Sequence, residues 1–298
     1  MRTRLFLNSG SRQAEMRQEE VNTLFAKHKV EVESTELFDS IQELQIQVLA
    51  AINDGVEMII AGGGDGTITA SIEPMLGSDA TLAILPLGTG NQFAKEIGID
   101  SLESAVLAIK ALRRARIDVA TVNDRPFLNV ATFGLTTEIA KNLHGKKLLG
   151  KAAYVPALFK AIKNTKSFEF RAKTETITHE FEAIQVVIAN GRLHGGPFAA
   201  SPDASLTDGN MDVYGVEPTS PLKLALAATL SLDGRHVVLE EVPNFKSSDF
   251  HVETKPSLPM VIDGETVWLD NPHFKVHPAA LKVVVPENFR VPDNRLVV

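Results

Sequence analysis

A run of glycines interrupted by one carboxylate is the part of this sequence best suited to chemistry. It reads Gly-Gly-Gly-Asp-Gly-Thr at residues 62–67 and directly follows the apolar run of residues 58–61. A second turn, Leu-Gly-Thr-Gly-Asn at residues 87–91, closes the apolar run of residues 82–85. Glycines at the end of a buried strand leave the backbone bare and tolerate positive φ, so a phosphate can approach the N–H groups. The two turns together predict a phosphate-binding site at strand ends.

Two side chains of the first turn extend this prediction. Asp65 would place a carboxylate where a phosphate-bound Mg²⁺ sits. Thr67 would cap the next helix, whose N-terminal N–H groups also favour an anion. The segment is neither a dinucleotide-binding fingerprint nor a Walker P-loop, since no Gly-Lys-Ser/Thr follows it.

Composition limits the function classes. The chain has 298 residues, 44% of them apolar and 22% charged, which is typical of a globular protein of about two domains. It has no cysteine, which excludes disulfides, thiolate zinc sites and a cysteine nucleophile. The net charge of −7 argues against a nucleic-acid partner. No stretch reaches the ~18 apolar residues of a transmembrane helix, and the short apolar run at residues 5–7 predicts a first strand rather than a signal peptide.

The pattern of apolar residues changes near residue 118. Before it, strands alternate with helices predicted at residues 13–28, 41–53, 68–76 and 102–113, which indicates a parallel sheet covered on both faces. After it, strand-like runs dominate, interrupted by helical stretches at residues 148–163 and 221–230. We therefore predict an N-terminal α/β domain over residues 1–120 and a mostly antiparallel β-sandwich over residues 121–285. The tail of residues 286–298 is placed with the first domain.

Four stretches read together resemble the diacylglycerol kinase catalytic-domain family, most closely its soluble bacterial lipid kinases. They are residues 63–67, 85–94, 203–212 and the Ile-Asp-Gly-Glu of residues 262–265. The first two alone would also admit NAD kinases and phosphofructokinases, whereas the Asp-Gly-x-x-Asp and Asp-Gly-Glu stretches narrow the choice to lipid kinases. The resemblance covers nearly the whole chain. It implies a Rossmann-like first domain, similar to that of phosphofructokinases and NAD kinases, with ATP and substrate meeting in a cleft between the domains.

The resemblance also implies residue roles. The implied ATP contacts are Asn8, Gly10, Thr35, Gly63, Gly64, Asp65, Gly66, Thr67, Ile68, Thr69, Ala70, Gly88, Thr89 and Asn91. Asp65 and Asp118 would be the carboxylates of the Mg²⁺–phosphate network, and Glu265 the general base that takes the proton of the acceptor hydroxyl. A structural cation, Mg²⁺ or Ca²⁺, would be held by the Asp208 carboxylate and the backbone carbonyls of Ser205 and Asn210.

Several positions depart from the family pattern. Ser9 stands where the family usually has Pro, Thr69 and Ala70 where it has Asn-Glu, and Gln92 where it has Asp. The last three remove polar or acidic groups near the nucleotide, which leaves the ATP contacts and the phosphate donor open. Simpler interpretations also stay open: Asp208-Gly209 and Asp263-Gly264 are ordinary turn sequences. The lysine-rich segment of residues 144–166 is either a helix that touches an anionic bilayer or one that packs on the sandwich.

The leading hypothesis is a cytoplasmic lipid kinase, dependent on ATP and Mg²⁺ and peripheral to the membrane when it acts. It would phosphorylate a hydroxyl of diacylglycerol or a related lipid, with transient membrane-surface contact and with homodimer formation left open. One alternative is an NAD-kinase-like enzyme with a soluble acceptor. Another is a non-catalytic nucleotide- or lipid-binding relative. The intact Asp-Gly-Glu argues against both, because neither needs it.

Overall fold

The computed structural model describes residues 1–9, 14–135, 166–194, 198–199, 204–218 and 243–297. The contacts of the chain divide it into two compact units. The first comprises Met1–Val119, Leu206–Gly209 and His277–Val298, and the second comprises Ala120–Ser205 and Asn210–Val276. The helices predicted at 148–163 and 221–230, and nearly all of the lysine-rich segment, lie outside the described residues.

The first unit is an α/β structure, as predicted. Its strands follow the order β2-β1-β3-β4-β18, and every neighbouring pair is parallel. The strands of this parallel run are β1 (Thr3–Asn8), β2 (Ser34–Phe38), β3 (Met58–Gly63), β4 (Thr81–Pro86) and the end of β18 (His273–Val284). The helices are α1 (Ala14–His28), α2 (Ile41–Asn53), α3 (Asp65–Ile72), α4 (Gln92–Glu96) and α5 (Leu102–Ala111), with 3-10 turns at Glu73–Met75 and Asp293–Arg295.

Burial explains why the central strands of this unit are so apolar. All six residues of β3 are buried, as expected for a parallel strand covered on both faces. Helix α1 contacts α5, and α2 contacts α3, so the helices form two groups. Ser40 caps α2 by accepting a hydrogen bond from the Glu43 N–H at 3.2 Å.

The C-terminal residues complete the first unit. The apolar run at residues 281–285 was predicted within the sandwich, but Lys282 and Val283 of β18 pair in parallel with β4. Strand β19 (Leu296–Val297) pairs with the start of β5 (Arg114–Val122). The tail therefore contributes a strand to this unit.

The second unit is the predicted antiparallel β-sandwich. One layer has the order β14-β13-β10-β7-β16-β17, and all its pairs are antiparallel. The other layer contains β9, β8, β15 and the start of β18, together with β6 and the end of β5. The remaining strands are β6 (Arg125–Phe127), β7 (Val130–Gly134), β8 (Phe168–Lys173), β9 (Thr178–Ala183), β10 (Gln185–Ala189), β11 (Leu193–His194), β12 (Phe198–Ala199), β13 (Met211–Val216), β14 (Asn244–Ser247), β15 (Asp249–Lys255), β16 (Met260–Ile262) and β17 (Glu265–Val267).

Phenylalanines from both layers form the core of this unit. Phe133 of β7 meets Phe170 of β8 edge to face, with 6.2 Å between ring centroids. Phe250 stacks on Phe274 at 5.3 Å within the second layer. Such aromatic pairs add to the stabilisation from burial alone.

In neither unit does a described helix reach the length and hydropathy needed to cross a membrane.

Candidate functional site

The two glycine turns meet at the carboxyl ends of β3 and β4. These strands are adjacent, with Gly63 opposite Pro86. A Cβ placed on Gly88 would collide with the Cα of Gly64, so the two backbones approach as only glycine allows. None of the glycines in these two turns has a positive φ. Close approach, rather than the left-handed conformation, is what requires glycine here.

Asp65 lies at the junction of the turns. It is the first residue of α3, and its Oδ1 accepts a hydrogen bond from the Phe93 N–H at 3.0 Å. Its Oδ2 lies on the side of Gly90, where an added Cβ would be 3.1 Å away. The carboxylate is thus held by the second turn and by the positive end of a helix dipole.

Thr67 does not cap α3, contrary to the sequence-based expectation. The cap position belongs to Gly64, because the helix already begins at Asp65. Thr67 instead lies buried in the first turn, where its side chain occupies the space that a Cβ on Gly63 would need. Its contribution is to pack against the turn, and its contact with ATP stays a prediction.

Asn91 shapes the second turn from within. Its backbone is left-handed, with φ 50°. Its Oδ1 accepts from the Gly88 N–H at 2.9 Å, and its Nδ2 donates to the carbonyls of Pro86 and Gly88 at 3.2 and 2.9 Å. Thr89 between them is exposed. The Asn91 side chain therefore folds the loop that presents Thr89.

A pocket of about 170 Å³ opens beside the first turn. Asn8 at the end of β1 lines it together with Gly62, Gly63 and Gly64. The contact of Asn8, Gly63 and Gly64 with ATP stays a prediction. Arg17 of α1 also lines the pocket and donates a hydrogen bond to the Leu87 carbonyl. We did not select Arg17 from the sequence. The sequence feature that could have identified it is a positive charge in the first turn of a helix. A cation is unfavourable there, because the N-terminal end of the helix dipole is also positive.

Other predicted nucleotide contacts lie elsewhere. Thr35 was expected at the end of the second strand, but it is the second residue of β2, which runs from Ser34 to Phe38. It therefore does not share the strand-end position of Asn8. The side chains of Ile68 and Ala70 are buried along α3, so only their backbone could face a ligand. Gly10 lies outside the described residues.

Asp118 is a fully buried carboxylate that joins three segments of the first unit. Its Oδ2 accepts from the Gly209 N–H at 2.7 Å, and its Oδ1 accepts from the Ala279 N–H at 2.8 Å. Arg295, from the C-terminal tail, lies 2.7 Å from Oδ1. Protein groups thus engage both oxygens, which gives Asp118 a structural role. Its place in a Mg²⁺–phosphate network stays a prediction.

The loop predicted to hold a structural cation is the one that Asp118 anchors. The Asp118 N–H donates to the Leu206 carbonyl at 2.7 Å, and Arg295 donates to the Thr207 carbonyl at 3.1 Å. Asp208 is exposed, while Ser205 and Asn210 are partly buried. No described cluster contains three or more His, Cys, Asp or Glu residues placed to hold a metal ion. The predicted cation site has one carboxylate and two backbone carbonyls, so the absence of such a cluster does not test it. The site stays a prediction.

Glu265 belongs to the second unit, whereas Asp65 belongs to the first. Glu265 opens β17, is largely exposed and forms an ion pair with Arg125. Asp263 precedes it in a tight turn with φ 45° and accepts hydrogen bonds from three successive N–H groups, those of residues 128–130, at 2.8–3.1 Å. The Asp-Gly-Glu turn is therefore fixed to the start of β7 through Asp263, and Glu265 points away from the core.

The first unit carries bare glycine turns at strand ends, and the second unit carries an exposed carboxylate beside a tight turn. Residues 2–122 match the family described as "Diacylglycerol kinase catalytic domain". Residues 129–285 match the "YegS C-terminal NAD kinase beta sandwich-like domain". The chain belongs to the diacylglycerol kinase catalytic-domain family, and it is an enzyme of the lipid kinase class.

Individual relatives agree with this placement. A "Probable lipid kinase YegS-like" protein of Pseudomonas aeruginosa strain UCBPP-PA14 is 33% identical over 240 residues, covering 79% of each chain. A "Probable lipid kinase YegS" of Escherichia coli O9:H4 is 33% identical over 245 residues, covering 78% of this chain and 79% of the relative. The crystal structure of a diacylglycerol kinase from Bacillus anthracis str. Sterne superimposes with a TM-score of 0.77 at 21% identity, covering 96% and 97% of the two chains. This last similarity shows the fold.

Proposed function

We propose that this protein is an ATP- and Mg²⁺-dependent lipid kinase that phosphorylates a hydroxyl of diacylglycerol or a related lipid. The observation that carries the proposal is the position of Asp65, whose carboxylate lies where two glycine turns meet, next to a pocket lined in part by the glycines of the first turn. The curated relatives, named as lipid kinases, support a lipid as the acceptor.

The first unit would bind the nucleotide. The N–H groups of the glycine turns and the Arg17 guanidinium at the same pocket favour an anion. Asp65 would hold Mg²⁺, which when bound neutralises charge on the ATP phosphates. Because Thr69, Ala70 and Gln92 stand where the family has polar or acidic groups, the nucleotide would meet fewer such groups in this protein.

The second unit would activate the acceptor. An alcohol is too weak an acid to ionise at neutral pH, so its proton must be taken as the new bond forms. Glu265 accepts that proton while the hydroxyl oxygen bonds to the γ-phosphorus and the bond to the ADP oxygen breaks. Arg125, paired with Glu265, holds the carboxylate in place before the acceptor arrives.

Transfer of labelled phosphate from ATP to a panel of acceptors tests the proposal. The panel contains diacylglycerol in mixed micelles, other hydroxyl lipids, free NAD and a micelle blank, each with and without Mg²⁺. We expect label in a lipid only when Mg²⁺ is present. Label in NAD would favour the soluble-acceptor alternative, and nucleotide binding without any transfer would favour a non-catalytic relative.

The proposal includes a cytoplasmic enzyme in transient contact with a membrane surface, and Trp268 offers a test. It is the single tryptophan of the chain, its side chain is 67% exposed, and it follows Glu265 by three residues. Its neighbours Val267 and Leu269 pack against the core of the second unit. Because exposed tryptophan favours the membrane interface, we expect a blue shift of emission on adding vesicles of phosphatidylcholine and phosphatidylserine.

Brominated lipids in the same vesicles should quench that emission, and a Trp268→Phe protein provides the blank. Protein that sediments with the vesicles while its Trp268 emission stays unchanged would place the membrane contact on another surface.

Asp208 provides a separate test of the structural cation. We expect Asp208→Ala to lower the melting temperature, and excess Mg²⁺ without nucleotide to stabilise the wild type more than this variant. Binding only to the folded state raises stability by mass action. Asp100→Ala, which removes another exposed carboxylate of the first unit, is the matched control. If Mg²⁺ stabilises the wild type and Asp208→Ala equally, Asp208 holds no cation and the loop is an ordinary turn.

A further inference from the structure

The pocket beside the first glycine turn fits one part of a nucleotide better than another. Its volume is about 170 Å³. Proteins enclose whole drug-sized ligands in pockets of roughly 300 to 1,000 Å³. The polar side chains in its wall are those of Asn8, Arg17 and Gln18, and none of the described residues that line it is aromatic. The pocket therefore has room for only part of a nucleotide, and its lining favours the charged part over the base.

Arg17 is fixed in the wall of this pocket. It lies in the first turn of α1, is half-buried, and donates a hydrogen bond to the Leu87 carbonyl. The Leu87 N–H in turn donates to the Gly63 carbonyl at 3.0 Å, so the guanidinium is connected to the first glycine turn through one residue. A guanidinium offers its N–H donors in a planar fork that matches the oxygens of a phosphate.

The described wall of the pocket carries a positive charge and no carboxylate. Along one side the glycines of residues 62–64 present backbone instead of side chains. Arg17 also faces the positive end of the α1 dipole, where a cation is unfavourable. A bound anion would offset that repulsion. The free protein thus keeps a cation in an unfavourable position, and an anion in the pocket would make the same position favourable.

We infer that this pocket binds a phosphate chain by itself, so that inorganic tripolyphosphate occupies it without a nucleoside and competes there with ATP. Arg17 is the residue that selects for the chain, and Gln18 is its neighbour in the wall. The inference rests on the proposed function in taking ATP as the donor. It goes beyond that function in the ligand, because inorganic polyphosphate becomes a competitive inhibitor of the enzyme.

Isothermal titration of the whole protein with tripolyphosphate and with ATP, at one fixed Mg²⁺ concentration and without lipid, tests the inference. We expect the wild type to bind tripolyphosphate, and ATP to displace it. Arg17→Gln should weaken the binding of both ligands by the same factor, about 10- to 100-fold, since hydrogen bonds to charged groups are the stronger kind. Its melting temperature without ligand should change by less than about 3 °C, because the lost bond to Leu87 and the relieved repulsion from the helix dipole have opposite signs.

Gln18→Glu tests the pocket by adding a charge instead of removing one. It places a negative charge in the wall and leaves the bond between Arg17 and Leu87 intact, so it should also weaken tripolyphosphate and ATP by a common factor. A glutamate near the start of a helix is favourable for folding. Gln42→Glu is the matched control, because Gln42 is an exposed residue in the first turn of α2 and does not line the pocket. It should bind both ligands as the wild type does.

Three results would overturn the inference. Tripolyphosphate could fail to bind the wild type or fail to be displaced by ATP. Arg17→Gln could lose ATP while it keeps tripolyphosphate, which would place Arg17 at the nucleoside. Both variants could bind both ligands as tightly as the wild type. If Arg17→Gln does not fold, Gln18→Glu decides by the same criteria.

No lipid is present in these titrations, so their outcome is separate from that of the proposed function. Tripolyphosphate binding that depends on Arg17 supports the pocket even if no acceptor is phosphorylated. Absence of tripolyphosphate binding refutes it even if labelled phosphate reaches a lipid.

Discussion

Asp65→Asn is expected to lose nearly all turnover, by about 10²- to 10⁴-fold, in a protein that still folds. The amide keeps the oxygen that accepts from the Phe93 N–H, so the contact between the glycine turns survives. What it removes is the negative charge needed to hold Mg²⁺ at the ATP phosphates, and metal stabilisation of transferring charge amounts to several kcal/mol. Steady-state phosphoryl transfer and the melting temperature of the same preparations measure the two effects.

Asp54→Asn makes the same chemical change at an exposed carboxylate of the first unit, where Asp54 pairs with Arg4 at 3.0 Å. Its turnover should match wild type. If a folded Asp65→Asn enzyme also turns over normally at low Mg²⁺, Asp65 does not hold the metal. If Asp65→Asn unfolds, the negative charge of Asp65 is needed for its hydrogen bond with the Phe93 N–H and thus for folding. The Mg²⁺ affinity of Asp65→Glu, measured by titration, then shows whether the carboxylate also holds the metal.

The glycine turns were predictable because their signal is local. An apolar run followed by glycines marks a buried strand that ends in a tight turn, and β3 and β4 have this form. The apolar residues that recur at helical spacing along α2 predict its buried face only in part. Leu44 and Val48 are buried, but Ile41 and Leu49 are 40% and 49% exposed. A period of 3.6 residues defines an apolar face without saying how much of it the neighbouring elements cover.

Long-range pairing could not be predicted from local patterns. The end of β18 joins the parallel sheet about two hundred residues after β4, its partner, and nothing in its apolar sequence distinguishes that partner from a sandwich strand. Asp118 is similar: its ligands are Gly209, Ala279 and Arg295, which are distant in sequence. Local sequence could not reveal these contacts, and the place of Asp118 in a Mg²⁺–phosphate network stays a prediction.

Short or polar strands also escaped prediction. Strand β9 reads Thr-His-Glu-Phe-Glu-Ala, and its side chains are mostly exposed, so it lacks the apolar alternation of β8 beside it. Strand β17 has three residues, two of them polar and exposed. Yet β17 carries Glu265, and the resemblance of Asp-Gly-Glu to a known motif selected it where periodicity could not.

Glu265→Gln is expected to lower kcat by about 10²- to 10⁴-fold, the usual range for general acid–base catalysis. Glutamine keeps the length of the side chain and can still accept a hydrogen bond from Arg125, so the β16–β17 turn should be preserved. It cannot take the proton of the acceptor hydroxyl. The affinity for ATP should change little, because the lost interaction belongs to the transition state. Steady-state kinetics with varied lipid and ATP, together with nucleotide binding at equilibrium, measure both quantities.

Glu180→Gln is the matched control, since Glu180 is another exposed glutamate of the second unit that pairs with an arginine, Arg171, at 2.7 Å. It should retain wild-type kcat. A Glu265→Gln enzyme with normal kcat would show that the base lies elsewhere or is not needed. Normal kcat with weakened ATP binding would instead move Glu265 to the nucleotide, because an acceptor base has no contact to lose when only ATP is bound. A loss confined to kcat, absent in Glu180→Gln, is the pattern that only a base acting on the acceptor produces.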